Sequence, residues 1–322
     1  MEKPFEMIKA VDAIKEYVSP ETYQKILLEC ELKEDECQRR MKGIKKEAEF
    51  ILALHMMGCC NKISPIDEKF SNTLDTYSSD ILINLKNGKT IFLEIKCEFE
   101  KDKYKITKNN LKKRIDYAKA HSFDLLFAIN IKGLWMLFDS SYLLEKNCKI
   151  TFEDYNYSIL GSFFGFNNYM VNNFESKEVY SKREKNVIGV VDENYGNLVS
   201  QEIIVNNKRI FKIKKKDNKY YMYLFAYEAL LERAVVYHQE ENGFDIVTRK
   251  IEGDGHIINE IELLLAPISH LEKGPGIKYD AESYLRHLSD LSKKCPLNIQ
   301  HIRMAMNKIG AKILTLVPKQ GE

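Results

Sequence analysis

Two apolar runs joined through Lys86-Asn87-Gly88-Lys89 constrain this 322-residue chain more than any other feature. The first is Asp80-Ile81-Leu82-Ile83-Asn84-Leu85 and the second is Thr90-Ile91-Phe92-Leu93-Glu94-Ile95-Lys96. Asn-Gly between strand-like runs is a strong hairpin signal. Strand side chains alternate between faces, so Glu94 and Lys96 point one way and Ile95 the other. Turn length decides where Asp80 falls. A two-residue loop would set Asp80 opposite Ile95 and Ile81 opposite Glu94. A three-residue loop, with Gly88 in the left-handed bulge position, pairs Leu85 with Lys89, Ile83 with Ile91, Ile81 with Leu93 and Asp80 with Glu94. This second register matches apolar with apolar and carboxylate with carboxylate, and it is the one expected.

Upstream, Ile44, Ala48, Ile51 and Leu54 recur at helical spacing between Gly43 and a stop at Gly58. Glu47 lies within that stripe, whereas Glu49 is expected towards solvent. A charge on a buried stripe needs a partner. Either Glu47 joins the hairpin carboxylates or a core Lys or Arg satisfies it. Residues 1–40 read as a preface of two short helices split at Ser19-Pro20, a plausible N-cap and first-turn proline. A weak strand around Lys62 to Glu68 precedes the hairpin. A basic helix from Thr107 to Ala120 follows it, then apolar strands from Phe123 to Ile129 and from Leu134 to Phe138. Trp135, the single tryptophan, is expected in the core. The order of helix, three strands, helix and two strands describes an α/β unit over residues 41–150.

An acidic residue entering one strand, followed by acid-x-Lys on the next, suits divalent-metal phosphodiester chemistry. Hard carboxylate oxygens hold Mg²⁺ or Mn²⁺, and a fixed ammonium stabilises developing negative charge. With these residues in view, the chain resembles the PD-(D/E)XK nuclease superfamily, and over about 100 residues its archaeal Holliday-junction resolvases. The likeness rests on Lys42-Gly43-x-x-x-Glu47 opening a helix, Asp80-Ile81, Glu94-Ile95-Lys96, the basic helix and the apolar strand. Ser79 stands where the superfamily's name puts proline. The resemblance implies a restriction-endonuclease-like mixed sheet flanked by helices, with a second, C-terminal α+β domain. It also implies an active site of Glu47, Asp80, Glu94 and Lys96. Asp80, Glu94 and the Ile95 backbone carbonyl would hold Mg²⁺ or Mn²⁺, Lys96 would hold the attacking water, and Glu47 would support the metal environment.

Basic residues (49) nearly cancel acidic ones (47), so partners must be sought in local clusters. One is Lys108, Lys112, Lys113, Arg114 and Lys119. The other is Lys208, Arg209, Lys212, Lys214, Lys215, Lys216 and Lys219. Both are candidate contacts to a nucleic-acid backbone, DNA favoured over RNA, although such runs also serve as plain solvated faces. Residues 151–186 read as a junction. Residues 187–322, a β-meander to about 225 and then mainly helix, read as a domain for recognition, homodimerisation or partner docking. Two C-terminal helices, Tyr279 to Lys293 and Asn298 to Lys308, fit either a helix-turn-helix or a packing hairpin. The acidic stretch Glu252 to His256 reads as a turn.

The seven cysteines form no CxxC knuckles. No histidine accompanies a nucleophile motif, and no phosphate-binding loop or dinucleotide fingerprint is present. The first twenty residues lack the apolar core of a signal peptide, and no apolar run approaches ~20 residues, so a cytoplasmic protein without membrane spans is expected. Restriction or anti-phage defence would suit such a nuclease by analogy. A rival reading is a non-catalytic nucleic-acid-binding or complex-forming subunit on the same scaffold.

Overall fold

A computed structural model of the protein describes residues 5–15, 17–66, 78–186, 188–214, 218–253, 255–272, 289–290, 292–293 and 297–314. The chain divides into two compact units, one of residues 1–165, 273–294 and 316–322, the other of residues 166–272 and 295–315.

The first unit opens with helices α1 (Phe5–Ile14), α2 (Pro20–Glu29) and α3 (Glu34–Met57). Ser19 caps α2, its hydroxyl accepting the Thr22 N–H, with Pro20 in the first turn. The expected boundary between residues 40 and 41 falls inside α3, which runs through Gly43 without a break and ends in the left-handed Gly58. Glu49, expected towards solvent, is half-buried in an ion pair with Lys46.

The hairpin consists of β2 (Ile81–Leu85) and β3 (Thr90–Glu98), and its register is the bulged one: Ile81 faces Leu93 and Ile83 faces Ile91. Leu85 N–H donates to the Lys89 carbonyl at 2.8 Å, and Gly88 N–H donates to Leu85 at 3.0 Å. Gly88 has a φ of +84° with open space around it. Gly88→Ala therefore meets no clash, only the left-handed backbone penalty, and a loss of about 1 kcal/mol is expected from the urea midpoint.

Strand β1 (Cys60–Pro65), β5 (Asp124–Ile131) and β6 (Leu134–Asp139) complete a five-stranded sheet of order β1-β2-β3-β5-β6, in which only the β3–β5 pair is parallel. The parallel pair needs a crossover, which the short strand β4 (Lys103–Lys105) and helix α4 (Lys108–Ala120) provide. Two aromatic contacts fix which helix covers which face. Phe92 meets Tyr117 of α4 at 5.4 Å, while Phe50 of α3 meets Trp135 at 4.5 Å. Trp135 pairs through Asn130 with Cys97, which is opposite in face to Phe92. So α4 covers the Phe92, Glu94 and Lys96 face, and α3 covers the other. Trp135 is core, at 2% exposure. Helix α5 (Ser140–Glu145), β7 (Lys149–Thr151), which pairs with β4, and α6 (Leu160–Phe164) close this unit.

The second unit departs from the sequence reading. Within the stretch expected as a junction, β8 (Asn168–Val171) and β9 (Phe174–Ser181) are regular strands. Strand β9 is central to an antiparallel sheet of order β10 (Val191–Asp192), β11 (Gly196–Val205), β9, β14 (Phe244–Ile251), β13 (Val235–Glu241), with β12 (Lys208–Ile213) also paired to β11. The meander was expected to run to about 225, but helix α7 (Asn218–Leu231) begins earlier. Beyond α7 the chain is strand as much as helix: β13, β14 and β15 (His256–Asn259) precede α8 (Glu260–Glu272) and α9 (Ile299–Lys308). The expected turn at Asn206-Asn207 is present, both residues having positive φ. Asn298 caps α9, and β16 (Lys312–Ile313) pairs with β8. Most of the expected helix Tyr279 to Lys293 lies outside the described residues. Buried Glu260 ties β8, α8 and α9 together by accepting bonds from Asn167, Tyr169 and Arg303.

The architecture is thus mixed α/β: a mixed sheet flanked by helices, followed by a β-rich α+β unit. No described helix is long and apolar enough to cross a membrane.

Candidate active site

Strand alternation puts Glu94 and Lys96 on the α4 face, and the bulged turn brings Asp80 to the same place. The β2–β3 ladder ends at Ile81 and Leu93. Beyond it, the Asp80 carboxylate takes the position of a strand carbonyl and accepts the Ile95 N–H at 2.6 Å. Lys96 Nζ stands 3.2 Å from Asp80 Oδ2 and 2.6 Å from Glu94 Oε1. Three polar side chains from adjoining strands therefore meet around one ammonium. Lys96 is 28% exposed and Asp80 15%, while Glu94 is fully buried, so the group opens to solvent on the Lys96 side.

Arg114 closes the buried side. Its guanidinium donates to Glu94 Oε2 and to the Ser78 carbonyl, both at 2.6 Å, and its Nε donates to Asn110 Oδ1 at 3.0 Å. Expected as a solvent-facing contact to a nucleic-acid backbone, Arg114 is instead buried, because it shares the inner face of α4 with Leu111 and Ala118. Lys108, Lys112 and Lys119 lie on the opposite, exposed face, and Lys113 is half-buried. A position three residues from Leu111 and four from Ala118 marks Arg114 as inward-facing, and that signal was available in the sequence.

Burial and the Asp80 charge push the Glu94 carboxyl up to about 7, against the opposing pull of Lys96 and Arg114. Desolvation pulls the Lys96 pKa down, but Asp80, Glu94 and Glu47 outweigh it and hold the pKa well above the lysine range. Glu47 on α3 is half-buried, and its charge is felt at Lys96 and Cys97. It does not complete a three-carboxylate cluster with Asp80 and Glu94, since no such group of three forms among the described residues. Sequence reading missed Tyr104 of β4. Its hydroxyl is pushed up to about 12, chiefly by burial, and lies within the field of Lys96, Glu94, Arg114 and Asp80.

No protein-family profile matches the chain, and no curated protein is similar to it at a significant level. Among solved structures it is similar to Hjc, a Holliday junction resolvase from the archaeal hyperthermophile Archaeoglobus fulgidus. That match has 18% identity and a TM-score of 0.29, and covers 34% of this chain and 89% of the other.

Asp80 and Glu94 bring two carboxylates to one point, hard oxygen donors of the kind that suit a divalent cation such as Mg²⁺. Glu94 Oε1 is engaged by Lys96 Nζ at 2.6 Å, and a carboxylate oxygen with one such partner retains a second lone pair. Two carboxylates near one another gain from a cation between them. Mg²⁺ is commonly held by one or two carboxylates with other oxygens filling its shell. The Ile95 carbonyl shares a side of β3 with the Ile95 N–H that Asp80 engages, where the ladder with β2 has ended.

The second basic cluster is spread differently. Arg209 is exposed at the β11–β12 turn, 3.9 Å from Glu202, and Lys214 is exposed just after β12. Lys215 and Lys216 lie outside the described residues.

Proposed function

We propose that this protein is a Mg²⁺-dependent endonuclease that hydrolyses phosphodiester bonds, with DNA as its substrate. The observation that carries the reading is the meeting of Asp80, Glu94 and Lys96 at one partly open point of the sheet. Asp80, Glu94 and the Ile95 carbonyl would hold the cation. When bound, it supplies Lewis acidity towards the scissile phosphate and acidifies water. Lys96, kept charged by its three carboxylate neighbours, orients the attacking water and stabilises negative charge gathering on the phosphate. Arg114 keeps the Glu94 carboxylate in place from behind. Glu47 adds negative potential at Lys96.

The test is conversion of supercoiled plasmid to nicked and linear forms by the purified chain. Activity is expected with Mg²⁺ or Mn²⁺, none in excess EDTA, and recovery when Mg²⁺ is restored. Nicking that persists in EDTA would remove the metal from the mechanism. The rival reading, a non-catalytic nucleic-acid-binding subunit, draws on the tight engagement of Glu94 by Arg114, which would also suit a retired site. It predicts no nicking under any metal while binding persists.

A further inference from the structure

The second unit carries a cleft of about 890 Å³ lined by Val179, Val199, Phe244, Arg183, Lys185, Lys212 and Lys214, together with Glu184 and Ser200. We propose that this cleft binds a segment of single-stranded nucleic acid, its phosphates held by Arg183, Lys185 and Lys214 and an unpaired base lying against Phe244.

The sheet geometry explains why these residues meet. Lys177, Glu202 and Lys212 stand in one row across β9, β11 and β12, and Val179 pairs with both Ser200 and Ile246 in the next. All therefore share one face. The opposite face is covered, with Phe174 and Phe211 against Tyr227 of α7. On the cleft face β9 and β12 end close together, and each continues into basic sequence.

Charge selects the ligand. Glu202 neutralises Lys212, whose hydrogen bond is the largest influence lowering the Glu202 pKa. Arg183, Lys185 and Lys214 are exposed and have no ion pair among the described residues. Against Glu184 they leave the cleft clearly positive, which favours a polyanion. The apolar floor narrows the choice. Duplex DNA keeps its base faces stacked inside and presents phosphates and base edges, whereas a single strand presents both phosphates and free aromatic faces. The basic loop is also held in position before any ligand arrives. Arg183 N–H donates to Ser181 Oγ at 3.2 Å, and Asn197 Nδ2 donates to the Glu184 carbonyl at 2.9 Å. Gly196 lets the Lys182 backbone approach so closely that an added Cβ would lie 2.9 Å from Lys182 Cα. A preformed site loses less entropy on binding.

This inference rests on the nuclease reading only for its choice of nucleic acid as the polyanion, and the test separates the two. Binding of the full chain to fluorescein-labelled dT12 is followed by anisotropy in EDTA, over a range of salt, beside a 12-base-pair duplex. The variant Arg183→Ala/Lys185→Ala/Lys214→Ala is expected to bind dT12 at least ten-fold more weakly. Its salt slope should fall by about 2, from roughly 0.7 per phosphate contact on a single strand. Phe244→Leu is expected to weaken dT12 binding about five-fold at an unchanged salt slope. Unfolding temperatures matching wild type show that the variants are folded. Unchanged dT12 affinity in the triple variant would overturn the proposal, and so would an equal loss on duplex. Loss of dT12 binding in a chain that never nicks plasmid would leave the cleft standing without the nuclease. Unchanged binding in a chain that does nick would leave the nuclease without the cleft.

Discussion

Lys96→Ala is expected to lower the rate of plasmid nicking by about 10²–10³-fold, the usual consequence of removing one preorganised group that stabilises transition-state charge. Lys96 faces both Asp80 and Glu94 within 3.2 Å, so its loss leaves two carboxylates in mutual repulsion with only Arg114 opposing them. Glu94→Ala removes a proposed metal ligand instead and is expected to be at least as damaging. The two defects should differ in their response to Mg²⁺. Raising Mg²⁺ screens the carboxylates in Lys96→Ala and restores part of the rate, but cannot replace the missing oxygen in Glu94→Ala. The measurement is the initial rate of supercoiled plasmid loss across a Mg²⁺ titration. Wild-type rates in both variants would end the mechanism.

Arg114→Leu should unfold far more easily than wild type. The Arg114–Glu94 pair is buried on both sides, and removing the guanidinium leaves the buried Glu94 carboxylate to Lys96 and its Oε2 without this donor, at a cost of ~3 kcal/mol. The Ser78 carbonyl loses its donor as well. For a unit of this size that corresponds to a fall in unfolding temperature on the order of 10 °C. Adding Glu94→Gln to Arg114→Leu removes the buried charge that Lys96 is left to balance and should recover part of the loss, which a double-mutant cycle reads directly. A urea midpoint unchanged in Arg114→Leu would show that the pair contributes nothing to folding.

The first unit was legible because its signals were periodic and local. Asn87-Gly88 together with apolar alternation determined the hairpin register, and with it the face shared by Asp80, Glu94 and Lys96. Arg114 was misread because five basic residues in sequence look like one patch, whereas helical geometry turns Arg114 inwards and Lys108, Lys112 and Lys119 outwards. The second unit was obscured by its own core chemistry. Strand β9 sends Ser176, Glu178 and Tyr180 inwards, where Gln201 and Arg249 help to satisfy Glu178, so the apolar alternation that marks a strand is missing. The Arg183 and Lys185 side of the cleft went unnoticed because it meets Lys214 only through strand pairing across β9, β11 and β12.

Asp80, Glu94, Lys96 and Arg114, with the Ser78 carbonyl and Asn110, all belong to a single run of chain between residues 78 and 114. Few distant segments have to find one another before these groups meet, so little loop-closure entropy opposes their assembly. With Glu47 of α3 adding its charge from outside that run, the candidate site lies wholly within the first unit, so sequence changes confined to the second unit are expected to leave its geometry intact.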